Sequence, residues 1–165
     1  MENLKILNGK KILIVDDEPD ILATMEDLLD MCQLDFARYF EDAQELLNKN
    51  RYDVAVFDIM GVQGYRLLKI AVQKGIPALM FTSHALSPED LVWSIEGGAK
   101  AYIPKEKMAD IPLYLADLIK DQQKGKQYSS WFTKLKGFFD RQFGSDWAEK
   151  RREFMDKYDW LYPIE

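Results

Sequence analysis

Apolar positions in the first 120 residues come in short runs separated by segments of helical period. The run Ile12-Leu13-Ile14-Val15 is largely β-branched and flanked by charged residues, the pattern of a strand buried on both faces. Residues 11–15 are therefore a predicted strand, and 35–39, 54–57, 78–81 and 101–103 are four more. Between the first two, residues 18–31 place Ile21, Leu22, Met25, Leu28 and Leu29 at helical spacing. Further helices are predicted at 43–48, 65–72, 91–96 and 113–119. Ser87-Pro88-Glu89-Asp90 makes a strong helix start, with a capping hydroxyl, proline in the first turn and acids facing the helix dipole. Gly97-Gly98 stops that helix. Five strands alternating with five helices imply a parallel sheet covered on both sides.

Beyond residue 120 the pattern changes. Residues 128–143 carry Trp131, Phe132, Leu135, Phe138, Phe139 and Phe143 at helical spacing, and Gly144 closes the segment. Asp146-Trp147-Ala148-Glu149 has capping-box spacing and predicts a second helix with Trp147, Phe154, Met155, Tyr158 and Leu161 on one side. Eleven of the 21 aromatic residues lie in the last 45 positions. Two short helices cannot bury such faces alone. The reading divides the chain into a domain at 9–120, a linker or continuation of the fifth helix at 121–127, and a helical extension at 128–165.

Charge and composition narrow the function classes. The 22 basic and 28 acidic residues leave a net charge of −6, and residues 121–165 hold nine basic against eight acidic. That balance argues against nucleic-acid binding, and Lys150-Arg151-Arg152 reads as a solvated helix face. The single cysteine, Cys32, precludes an internal disulfide and fits a reducing compartment, so a cytoplasmic location is expected. No apolar run approaches the roughly twenty residues of a membrane span.

In an open parallel sheet the site lies at the carboxyl ends of the strands. There the sequence sets Asp16-Asp17-Glu18 after the first strand, Asp58 after the third, Thr82-Ser83 after the fourth and Pro104-Lys105 after the fifth. A lone acid in such a place is ordinarily a helix cap. Acid pair, acid, hydroxyl and lysine at successive strand ends are a different matter. Oxygen donors without His or Cys favour Mg²⁺, and a lysine and a hydroxyl beside it suit a phosphoryl group.

The segments Ile14-Val15-Asp16-Asp17-Glu18, Val54-Ala55-Val56-Phe57-Asp58, Phe81-Thr82-Ser83-His84-Ala85 and Gly98-Ala99-Lys100-Ala101-Tyr102-Ile103-Pro104-Lys105 together resemble the receiver domain of two-component response regulators, the CheY-like family. The resemblance spans about residues 9–120. It implies a flavodoxin-like, doubly wound α/β fold with five parallel strands in the order 2-1-3-4-5. It also implies roles. Asp58 accepts a phosphoryl group from a sensor histidine kinase or phosphotransfer protein. Asp17 binds Mg²⁺ directly, Asp16 acts mainly through water, and the backbone carbonyl of Met60 is a further ligand. Lys105 pairs with Asp58 and later with a phosphoryl oxygen. Thr82 moves to the phosphoryl group, and Tyr102 turns inward behind it.

The chain departs from the family pattern in three places. Val62 stands where proline is usual and Gly64 comes early, which shortens the loop after Asp58. Pro104 precedes Lys105 and Glu106 follows it, so the bond after Lys105 is expected to be trans. Ser83 replaces a smaller residue. Met60 and His84 flank the acceptor, and Met60 offers no strong partner to an attacking water, so slow self-dephosphorylation is expected. The function implied is a phosphorylation-controlled interaction switch or relay acting on a downstream protein. It has no DNA-binding output and is no enzyme beyond its own phosphorylation and dephosphorylation. The alternatives are a pseudo-receiver that cycles no phosphate and a small Mg²⁺-dependent phosphatase. The aromatic extension is expected to pack on the fourth and fifth helices, where Trp93 lies, or to form a homodimer through them, with phosphorylation altering that packing.

Overall fold

The structure is a computed structural model and describes residues 4–83, 86–125 and 130–161, without the side chain of Trp160. His84, Ala85, Tyr128 and Tyr162, and part of the expected linker, lie outside the described residues.

Five parallel strands, β1 (Lys11–Val15), β2 (Gln33–Ala37), β3 (Val54–Asp58), β4 (Ala78–Thr82) and β5 (Ala101–Pro104), form one sheet in the order β2-β1-β3-β4-β5. The helices are α1 (Pro19–Leu28), α2 (Phe40–Lys49), α3 (Gly64–Gln73), α4 (Pro88–Glu96), α5 (Ile111–Gln123), α6 (Ser130–Phe143) and α7 (Arg152–Lys157). β3 and β4 are buried at every position because helices cover both faces, which is why their sequences do not alternate. Among the described residues there is no cis peptide bond, as expected after Lys105.

Local signals explain the helix ends. The Asp90 N–H donates to the Ser87 hydroxyl at 3.0 Å, and Gly98 leaves α4 at φ +104°. Gly144 closes α6 at φ +95°. Three expectations need correction. β2 begins and ends two residues earlier than expected, because it pairs Lys11 with Gln33 and Val15 with Ala37, which leaves extended Tyr39 as the entry to α2. α1 stops at Leu28, short of the expected 31. No helix starts at Asp146: the chain makes a short 3₁₀ turn, Glu149–Arg151, and α7 begins only at Arg152.

The extension folds back on the domain. Phe139 of α6 meets the Tyr102 ring at 6.0 Å, stacks on Phe143 at 5.4 Å and touches Trp147. The Trp147 indole N–H donates to Asp140 at 2.8 Å. Polar contacts tie the unit down: Lys134 pairs with Asp117 of α5 at 2.7 Å, Arg151 with Glu89 of α4, and Lys107 lies 5.3 Å over the Phe138 ring. The aromatic face is thus buried in cis, on the side of the sheet formed by α4, β5 and α5. Trp93 stays outside it, 57% exposed. Among the described residues no helix is long and apolar enough to cross a membrane.

Candidate functional site

The register brings the strand ends together. Val15 pairs with Phe57, so Asp16 follows at the level of Asp58, and the Asp16 N–H continues the ladder to the Ala37 carbonyl at 3.0 Å. Asp58 pairs with Phe81, so Thr82 stands one step beyond it. Thr82 in turn pairs with Pro104, which delivers Lys105 to the same edge. Asp16, Asp58, Thr82 and Lys105 are all buried there.

Lys105 is the hub. Its ammonium lies 2.8 Å from Asp16 Oδ2, 3.1 Å from Glu18 Oε1 and 3.5 Å from Asp58 Oδ1. Burial works to lower its pKa, and the carboxylates of Asp16, Asp58 and Glu18 together outweigh that, so the pKa rises. Asp58 is pushed up to about 7, first by burial and then by the charge of Asp16, with Lys105 opposing. Burial also raises Asp16, against the pull of Lys105 and of the Glu18 N–H, which donates to Asp16 Oδ1 at 2.9 Å.

The residues present fit a hard cation. Asp16, Asp17 and Glu18 offer carboxylate oxygens within 4.8 Å of one another, and among the described residues no His or Cys joins them. The short loop after β3 is built against this group. Gly61 sits at φ +85°, and a Cβ there would lie 2.5 Å from Asp17 Oδ2. Gly64 packs on the Asp58 carbonyl so closely that a Cβ would overlap it. The two glycines therefore make possible the tighter turn that replaces the usual loop, and Gln63 takes a left-handed φ of 56° between them. Met60, at the turn, is 53% exposed.

Tyr102 is wholly buried, with its hydroxyl accepting from the Ser87 N–H at 3.3 Å. It lies between the start of α4 and Phe139. Two contacts at this edge were not read from the sequence. Glu18 is a partner of Lys105, and Arg38 donates to the Asp17 carbonyl at 3.3 Å. Glu18 stood in the acidic run, but an acid just before a helix ordinarily signals the dipole and nothing more.

An edge of this composition on a 2-1-3-4-5 sheet is that of a doubly wound α/β domain with its polar cluster at the carboxyl ends of the strands. The description "Response regulator receiver domain" matches residues 12–115, and the chain belongs to that family. It is 30% identical over 103 residues to "Two-component response regulator ARR18" of Arabidopsis thaliana, covering 59% of this chain and 16% of that one. It is 30% identical over 120 residues to "Transcriptional regulatory protein PrrA" of Mycobacterium tuberculosis, covering 68% and 48%. The chain thus spans less than half the length of these relatives. Among solved structures, a CheY-like receiver domain protein from Methanospirillum hungatei aligns with a TM-score of 0.64 at 27% identity, over 72% of this chain and 99% of that one. A Francisella response regulator receiver domain aligns with a TM-score of 0.63 at 25% identity, over 69% and 99%.

Proposed function

We propose that this receiver accepts a phosphoryl group on Asp58 from a phosphohistidine of a sensor kinase or phosphotransfer protein, and that the modification switches its contacts with a downstream protein. The observation that carries this reading is the burial of Asp58 beside the Lys105 ammonium and the Asp16-Asp17 pair. In the transfer, an Asp58 oxygen attacks phosphorus and the P–O bond forms. The P–N bond breaks and its electron pair stays on that ring nitrogen; with the other ring nitrogen protonated in the donor, the ring leaves as neutral histidine. Lys105 moves onto a phosphoryl oxygen, and the Thr82 hydroxyl supplies a further hydrogen bond. Asp16, Asp17, Asp58 and the Met60 carbonyl would hold Mg²⁺, which when bound offsets negative charge on the phosphoryl oxygens. On this reading the chain acts in the cytoplasm and catalyses only its own phosphorylation and dephosphorylation.

Incubation with phosphoramidate and Mg²⁺, read by intact mass, tests the proposal. One added phosphoryl group per chain supports it. No gain by a folded, Mg²⁺-supplied chain favours the pseudo-receiver, and steady turnover of added phosphoesters favours the phosphatase. Asp17→Asn removes a charged oxygen from the cluster and is expected to weaken Mg²⁺ affinity at least tenfold, measured by calorimetry. Met60→Asn puts a polar group at the exposed turn where a water attacks the aspartyl phosphate. Decay of the phosphorylated form is expected to speed up several-fold; an unchanged half-life would remove Met60 from control of that water.

Tyr102 supports a route from the site to the extension. It packs on Phe139 and accepts from the Ser87 N–H at the start of α4, so on this reading a change at Thr82 and Asp58 that shifts this ring is carried to α6. Hydrogen exchange across α6 is expected to differ between the phosphorylated and free forms, and equal exchange would break this link.

A further inference from the structure

The Lys105 ammonium does not rest on the acceptor. Its two shortest carboxylate contacts, Asp16 at 2.8 Å and Glu18 at 3.1 Å, come from the connection between β1 and α1, and Asp58 is third at 3.5 Å. We propose that Glu18 is a positioning residue for phosphoryl transfer: it holds Lys105 in the resting site, and the incoming phosphoryl group displaces it. This rests on the phosphoacceptor reading of Asp58.

The three carboxylates differ in what they are free to do. Asp16 and Asp58 are 1% and 3% exposed, and Asp16 is pinned through Oδ1 by the Glu18 N–H. The Glu18 side chain is 48% exposed and makes no capping bond to α1. Its backbone is fixed at the site while its carboxylate borders water. It is the one partner that can leave Lys105 and be solvated at once. A half-exposed ion pair is screened and holds the lysine weakly. A phosphoryl group brings about −1.5 to −2 charge and three acceptor oxygens to Asp58, which outbids a single screened carboxylate for the same ammonium. Until then the Glu18 charge keeps part of the Lys105 ammonium engaged. Glu18 thus slows phosphorylation by occupying the lysine, without touching the transferred group.

The sign follows. Glu18→Gln keeps the shape and loses the charge. Each variant is compared at a Mg²⁺ concentration that saturates it, because Glu18 also belongs to the oxygen cluster. Phosphorylation by phosphoramidate, followed by intact mass, is expected to run about two- to fivefold faster in Glu18→Gln than in the wild type, the range an ion pair of this exposure commands. The same substitution is then made beside Lys105→Ala. If Glu18 acts through the lysine, the acceleration disappears in that background, a non-additivity that a general stability effect would not produce. An equal acceleration with and without Lys105 would show plain repulsion of the donor and overturn the proposal. So would an unchanged or slower rate in Glu18→Gln while the wild type is phosphorylated normally. A wild type that takes up no phosphoryl group would overturn the underlying reading as well.

Discussion

The Asp58→Asn variant takes up no phosphoryl group under conditions that modify the wild type fully, and it keeps the fold. The first half of this expectation comes from chemistry. An amide oxygen is a poor nucleophile, and the carboxylate at the same level of the sheet, Asp16, is already held by Lys105 at 2.8 Å and by the Glu18 N–H at 2.9 Å. The second half comes from packing. Asn has nearly the volume of Asp, and Asp58 is strained electrostatically, with its pKa pushed up to about 7 by burial and by Asp16. Removing its charge relieves repulsion inside the acidic group, so the midpoint of thermal unfolding is expected to hold or rise. Circular dichroism melting and intact mass check both halves. Phosphorylation of the variant at the wild-type rate would show that another residue is the acceptor.

Phe139→Ala lowers the stability of the whole chain by about 3–5 kcal/mol, the usual cost of emptying a buried aromatic site. Phe139 is fully buried and meets Tyr102, Trp131, Phe132, Phe138, Phe143 and Trp147, so its loss opens a cavity between the extension and β5. Urea unfolding followed by tryptophan fluorescence measures the effect. Trp93→Ala is the matched control: its side chain is largely exposed, and its removal is expected to change stability by no more than about 0.5 kcal/mol. If Phe139→Ala behaves like Trp93→Ala, the extension is not part of the folded unit.

Much of this was legible in the sequence, for physical reasons. β1 carries a four-residue apolar run, Ile12–Val15, with charges at both ends, and such a run has one place to go. The acids, Thr82 and Lys105 could be assigned to one edge because every strand of a parallel sheet points the same way. Less was legible where tertiary contact overrides local pattern. The limits of β2 depend on its register with β1, and Phe36 and Tyr39 look equally strand-like in sequence. Asp146 and Glu149 have the spacing of a capping box, but Trp147 is drawn under Phe143 and bonded to Asp140, and the backbone turns to follow it. The partnership of Glu18 with Lys105 joins residues 87 positions apart, and no local rule connects them. The short loop after Asp58 was visible as two early glycines. What they accommodate, the Asp17 carboxylate and the Asp58 carbonyl, required the fold.

The most direct test of the account is to find where the phosphoryl group goes. The wild-type chain is incubated with phosphoramidate and Mg²⁺, reduced with borohydride to trap the acyl phosphate as homoserine, digested and mapped by mass spectrometry. The account predicts a single converted residue, Asp58, and no conversion when Mg²⁺ is withheld. Conversion at another carboxylate, or none in a chain shown to be folded and supplied with Mg²⁺, would contradict it.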